Sequence, residues 1–231
     1  PLLDTTHDNP LDLFQIWLNL PGRSKMCTPH FSMLWAQDVP RAVRTGPDAG
    51  RVELTVVAGR LPGLDAAAFE AVSPGPTLVP PPPPPDSWAS EPEADVGICT
   101  LALAGPARFV LPAAAGLGTR RVVYFHAGAG LTLAGREIRE HAAIEVDATQ
   151  PLEVVHAAGA APVDLLVLQG RPIGEPVAQY GPFVMNTEQQ IREAFSDYQR
   201  TRFGGWPWPG EGPVHGPDPA RVARQPAQNL V

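Results

Sequence analysis

The sequence predicts an all-β chain, a barrel or sandwich of short strands closed by one C-terminal helix. Two observations carry this. Short apolar runs, several with a period of two, recur between residues 96 and 168, separated by turn residues; strands spaced in this way build sandwiches and barrels. Helical periodicity with a start signal appears at Thr187, where the last clear element begins.

Taken in order, Leu11, Leu13, Ile16, Leu18 and Leu20 alternate in part around Phe14 and Trp17. This predicts a strand buried on both faces and closed by Pro21-Gly22. Phe31 to Trp35 is a second short strand candidate, ending at Asp38-Val39-Pro40. Val52, Leu54 and Val56 share one face, so Arg51–Ala58 is expected to be a third. No segment before Leu11 supplies partners for these strands, which leaves sheet edges unpaired. From Ala71 to Pro92 the composition changes, and the six prolines Pro80 to Pro85 cannot donate ladder hydrogen bonds. The run reads as a stiff connection; a recognition motif for an SH3-like partner lacks the flanking basic residue. Strands are then expected over Val96–Leu103, Val110–Leu111, Arg121–Phe125, Leu131–Leu133, Ile144–Val146, Leu152–Val155 and Val163–Leu168.

Thr187 and Gln190 fit a capping box, with Ile191, Ala194, Phe195 and Tyr198 forming an apolar stripe behind it. Gly204-Gly205 is expected to end that helix. The following Trp206-Pro207-Trp208-Pro209 is too rich in proline to be regular, and its tryptophans are expected to dock on a barrel.

Bulk properties exclude several classes. At 231 residues with 44% apolar content the chain can bury a substantial core, yet it holds no run of eighteen apolar residues to cross a membrane. A net charge of −7 argues against direct binding of nucleic acid. Lys25 is the sole lysine, a coding bias towards Arg and not a binding surface. Cys27 and Cys99 are far apart and form no CxxC, as expected of reduced thiols in a cytoplasmic protein. The chain starts with Pro, so the absence of a signal peptide carries no weight. There is no GxSxG, phosphate-binding Gly loop or HExxH.

Two stretches are more specific. Gln169 to Phe195 reads QGRPIGEPVAQYGPFVMNTEQQIREAF, and Leu13 to Pro21 reads LFQIWLNLP, followed by Pro29-His30-Phe31. Both, in this order, resemble the pirin family, bacterial members included, and the likeness runs with gaps over nearly the whole chain. The resemblance implies a bicupin fold: two double-stranded β-helix (cupin) barrels, all-β, with a C-terminal α-helix that packs against them. It places the remaining strands of an incomplete N-terminal barrel at 1–70, the Pro-rich connection at 71–95, a metal-free C-terminal barrel at 96–180, and the helix with its docking tail at 181–231. It also implies that the family's metal-binding motifs lie upstream of Leu13, the last of them falling just before Pro1.

Cupin barrels hold a divalent metal with an HxH pair, a Glu three or four residues later, then a Gly and a further His. The HxH spacing puts both imidazoles on the inner face of one strand, and such ligands suit iron and related metals. With Gly128 as the glycine, Arg121 falls where the Glu belongs and Ala114, Ala115, Gly116 and Leu117 where the HxH pair belongs. None of these binds a cation, and a guanidinium repels one. His141, Glu145 and His156 offer a weaker set, because Arg139 breaks the HxH pair and Glu145 faces away from Ile144 and Val146. His126 is expected at a strand rim; His7, His30 and His215 carry no metal signal, and Asp4, Asp8 and Asp12 read as solvated turn residues. No catalytic, cofactor-binding or metal residue is therefore assigned within this chain, and the chain alone is expected to be inactive.

For the complete protein the resemblance implies iron or another divalent metal. It also implies an activity like that of quercetin 2,3-dioxygenases, in which the metal activates a flavonol and oxygen cleaves its heterocycle. The alternative that it implies is a redox-sensing regulator that binds transcription or metabolic proteins without turnover. A naturally truncated, inactive scaffold is a third.

Overall fold

Side-chain alternation sets which face of every strand is buried. The computed structural model describes residues 6–73, 78–206, 209 and 210, and divides into two units, Arg23–Gly174 and Pro1–Gly22 with Glu175–Val231. The larger unit carries eleven strands among its described residues: β1 (Arg41–Thr45), β2 (Arg51–Gly59), β3 (Glu70–Ser73), β4 (Gly97–Ala104), β5 (Ala107–Leu111), β6 (Arg120–Ala127), β7 (Leu131–Leu133), β8 (Arg136–Ile138), β9 (Ala142–Val146), β10 (Leu152–His156) and β11 (Val163–Gly170). Seven of them form one sheet in the order β3-β1-β2-β4-β11-β6-β9, and four form a second, β5-β10-β7-β8. All the pairings are antiparallel.

Both sheets contribute their buried faces to one core. Val52, Leu54 and Val56 of β2, Cys99, Leu101 and Leu103 of β4, and Val163, Leu165 and Val167 of β11 meet Phe109, Leu111, Leu133 and Val154 of the second sheet. Burying each large aliphatic side chain stabilises the fold by about 1.5–3 kcal/mol before chain entropy is counted. These strands are the ones that the period-two runs predict from Arg51 onwards. Strands β1, β2 and β3 lie within residues 1–70 or just past them, and β2 pairs directly with β4, Leu54 opposite Leu101.

The sheet positions its ends with tightly packed backbone. Gly59 has φ +74°, and a Cβ there would sit 1.6 Å from the Val96 carbonyl oxygen. Gly128 (φ +102°) closes β6, where a Cβ would meet Pro162 O at 2.6 Å. His156, 1% exposed, points into the barrel end and sets its ring nitrogens 2.7 Å from Gly105 O and 2.8 Å from Ala161 O. It thereby ties the β4–β5 turn to the β10–β11 loop.

The Pro-rich connection is anchored by a small satellite core. Ser87 caps a 3₁₀ turn over Trp88–Ser90, and Trp88 Nε1 donates to Arg171 O at 2.7 Å. Trp88 packs with Ala94 and Val96, and the Arg171 guanidinium lies 5.9 Å from its ring centroid. Asp95 follows in the left-handed conformation (φ 49°, ψ 36°), and the chain turns there into β4.

The smaller unit holds a hairpin, β12 (Ala178–Tyr180) with β13 (Phe183–Met185), and the helix α1 (Glu188–Thr201). The expected capping box is present in full between Thr187 and Gln190. Phe195 packs on Phe183 at 4.7 Å and on Tyr180 at 5.6 Å between ring centroids, which fixes the helix to the hairpin. The helix ends at Arg202 (φ 52°) and not at Gly204-Gly205. The left-handed turn costs a non-glycine residue about 1–2 kcal/mol. Phe203 stacking 5.3 Å from Tyr198, with the Arg202 guanidinium 5.7 Å from that ring, offsets the strain.

Two expected strands do not form. Residues 11–20 form no strand among the described residues, and Leu11 is 76%, Leu13 71% and Trp17 61% exposed. Residues 31–35 likewise make no ladder and run into a turn in which Asp38 and Val39 donate to Trp35 O. Alternation selects a face, but a strand needs a neighbour to accept its hydrogen bonds. Trp206 is 58% exposed, while Pro207, Trp208 and His215 lie outside the described residues.

Two substitutions test this account by urea denaturation. Gly59→Ala is expected to cost about 3 kcal/mol or more, since backbone must move to admit the methyl group; a change below about 1 kcal/mol would contradict the packing. Thr187→Ala removes one hydrogen bond of the capping box and is expected to cost about 1 kcal/mol, with helix content by circular dichroism falling in step.

Candidate functional site

The interior face of β6 begins with a charge. Alternation along this strand buries Arg121, Val123 and Phe125, and Arg121 is 1% exposed. Gln169 of β11 stands directly opposite it in the ladder. Its Oε1 accepts from Arg121 Nε at 2.9 Å and from Nη2 at 2.5 Å, and Pro112 O accepts from Nη2 at 2.8 Å. Gln169 Nε2 in turn lies 3.2 Å from both the carbonyl and Oδ1 of Asp95. Only this amide orientation works, since the flipped one would set N–H against guanidinium N–H. Asp95 Oδ2 accepts from Gly116 N at 2.9 Å and from Thr119 Oγ1 at 2.8 Å.

The network is a charge pair relayed through an amide. Burial lowers the pKa of the Arg121 guanidinium from its ordinary value, and the nearby Cys99 and Asp95 partly offset this. Arginine nonetheless stays protonated in proteins. Among the described residues no carboxylate lies at ion-pair distance from it, and Nη1 has no hydrogen-bond partner. One layer deeper, Cys99, Val167 and Val123 stand side by side in adjacent strands. Burial pushes the Cys99 thiol up to about 12. It is therefore a small apolar core residue and not a nucleophile.

These residues do not fit a divalent metal. Arg121 occupies the carboxylate position of the cupin pattern with the opposite charge. Ala114 and Gly116, where imidazoles would stand, lie in the loop between β5 and β6, with Ala114 N bonded to Ala148 O at 2.7 Å. The weaker set is dispersed. His141 is exposed, its Nε2 3.0 Å from Gly128 O and its ring 4.9 Å from Phe125. Glu145 is exposed on β9, while both ring nitrogens of His156 face carbonyl oxygens in the interior. Among the described residues no group of three His, Cys, Asp or Glu side chains is placed to hold a metal ion. His126 is half-buried on the outer face of β6, and His30 is exposed with Nε2 3.2 Å from Ser32 Oγ. His7 is exposed as well.

The sequence pointed to Arg121 but missed its partners. Gln169 and Asp95 are separated by 74 residues, and only the β4–β11–β6 ladder makes them neighbours.

Comparison with known proteins places the fold in a family. Residues 101–204 match the pirin C-terminal cupin domain. The chain belongs to the pirin family. Among curated relatives, a Pseudomonas aeruginosa protein provisionally named a quercetin 2,3-dioxygenase is 31% identical over 191 residues, which cover 80% of this chain and 57% of that protein. A pirin-like protein of Caulobacter vibrioides is 31% identical, with 82% of this chain and 58% of the relative covered. Pirin-1 of Arabidopsis thaliana is 28% identical, with 82% and 57% covered. The chain thus spans less than three fifths of the length of these pirins. A solved quercetin 2,3-dioxygenase of Acinetobacter baumannii superposes with a TM-score of 0.58 at 23% identity, covering 81% of this chain and 55% of that one, and shows the shared cupin fold. No described helix of this pirin chain is long and apolar enough to cross a membrane.

Thiol labelling checks the buried layer. With dithiobis(nitrobenzoate) at about pH 8, the native chain is expected to expose one fast-reacting thiol, the half-buried Cys27. Cys99 should react only on unfolding; fast labelling of both thiols in the native state would show that the layer beneath Arg121 is open.

Proposed function

We propose that this chain is the later part of a metal-dependent pirin whose complete form is a quercetin 2,3-dioxygenase-like oxidoreductase. The observation that carries the reading is the exchange of ligand for guanidinium in the C-terminal barrel. A cupin barrel whose interior holds Arg121, Gln169 and Asp95 in one closed network has no donor set to offer a cation. In a bicupin, the metal chemistry then belongs to the other barrel. Residues 1–70 would supply later strands of that barrel, with β1 and β2 also continuing the sheet of the metal-free one, 71–95 the connection, 96–180 the metal-free barrel and 181–231 the closing helix and tail. The family match beginning at residue 101 supports this division, and so do the relatives' greater lengths. A bound iron or related divalent ion would supply Lewis-acid activation of a flavonol-like substrate. This chain's part is structural: it fills the metal-free barrel and presents the exposed apolar side chains of Leu11, Leu13 and Trp17.

The test uses the full-length gene product, with metal content by elemental analysis and oxygen uptake with quercetin measured together. One iron or related ion per chain with flavonol-dependent oxygen uptake is the expected outcome. Stoichiometric metal without oxygen uptake across a panel of flavonols would sink the oxygenase reading and favour a metal-sensing protein that acts through a protein partner in the cytoplasm.

A further inference from the structure

We propose that the C-terminal barrel has exchanged its cation site for an anion site: the free edge of Arg121 binds the carboxylate of a small monocarboxylic acid. The inference concerns this chain alone and does not rest on the dioxygenase reading.

The guanidinium fork has two edges. Gln169 Oε1 occupies the Nε–Nη2 edge. On the terminal Nη1–Nη2 edge, Nη2 reaches only the neutral Pro112 carbonyl, and Nη1 reaches nothing although Arg121 is 1% exposed. An N–H buried without an acceptor costs about 1–3 kcal/mol, more on a charged group, so an orphan of this kind calls for a partner. A water molecule would satisfy the N–H but add no charge, and Asp95 offsets the guanidinium only from a distance, through Gln169. Asp95 cannot move onto Nη1, because Oδ2 is held by Gly116 N and Thr119 Oγ1 and Oδ1 by the Gln169 amide. A partner that brings its own negative charge would compensate the guanidinium directly. Two parallel N–H bonds on a planar edge match the two oxygens of a carboxylate better than a spherical ion.

The size of the ligand follows from the layers. Arg121 and Gln169 stand opposite each other in one layer, and Val123, Val167 and Cys99, each at most 2% exposed, fill the next. The acid must then be of formate or acetate size, or lie with its apolar remainder towards the covering loop. Access lies through that loop. Displacing Pro112 O frees Nη2, and the residues that follow lead to Leu117, 93% exposed, and Gly118 at φ +76°. The loop is held by the contacts of Gly116 and Thr119 with Asp95 and by Ala114 N on Ala148 O. A carboxylate that replaces one carbonyl at Nη2 and fills Nη1 leaves the Asp95 contacts in place.

The experiment is a formate titration of the 231-residue chain labelled with ¹³C and ¹⁵N in arginine, at constant ionic strength with chloride as the balancing ion. We expect one guanidinium, assigned to Arg121 by its slow exchange with solvent as the one buried arginine among the described residues, to shift saturably with formate and far less with chloride. Relaxation of ¹³C-formate should then report binding at least about tenfold weaker in Arg121→Lys, the loss of a forked contact worth about 1.4 kcal/mol. An Arg121 resonance unmoved by formate would mean water or nothing at Nη1. Equal responses to formate and chloride would mean charge screening only. Either result overturns the proposal, and both are read on the unmutated protein, so a variant that fails to fold does not obscure the answer.

Discussion

A positive charge sealed inside a β-barrel is the constraint that the surrounding structure answers. Moving an ion of this size out of water costs several kcal/mol even after relaxation, and three widely separated segments supply the compensation. Gln169 supplies the amide, Asp95 the counter-charge and Pro112 a carbonyl. Asp95 in turn requires Trp88 to be seated on Arg171, because the satellite core fixes the left-handed turn that brings its carboxylate inward.

The same position sets the interior of this barrel apart from the metal-binding cupin pattern. Inward-facing residues on adjacent strands remain neighbours whatever their identity, since the ladder fixes their spacing. Replacing a carboxylate by a guanidinium there keeps a polar, hydrogen-bonded interior but inverts the sign of the ligand that it favours. A divalent ion is repelled, and the polar groups that would have formed its surroundings turn to the arginine instead. Cys99, one layer further in, is shielded from both solvent and reaction by the same packing.

On the proposed reading, two barrels in one chain would separate chemistry from support. A barrel relieved of metal binding can fill its interior with a network such as Arg121–Gln169–Asp95, which rigidifies it only if every member is satisfied. Among the described residues one group of it, Arg121 Nη1, has no hydrogen-bond partner.

Strands β2, β4, β5, β6, β7, β9, β10 and β11, the helix start at Thr187 and the absence of an HxH pair were legible in sequence, because each depends on local periodicity or on spacing within one element; β1, β3, β8, β12 and β13 were not. The odd residue in the metal position, Arg121, was legible for the same reason. Its partners were not, since Gln169 and Asp95 become its neighbours only through strands that pair across many intervening residues. Residues 11–20 show the reverse failure: their alternation is that of a strand, but they belong to no strand among the described residues. The end of the helix shows it on a smaller scale, where aromatic packing around Phe203 carries a left-handed turn onto Arg202 ahead of two glycines better suited to it. Sequence by itself thus determined the type and face of most elements, which are local properties of the chain. Tertiary structure alone decided which edges pair and which charges meet, because hydrogen-bond partners and low-dielectric surroundings are supplied by distant residues.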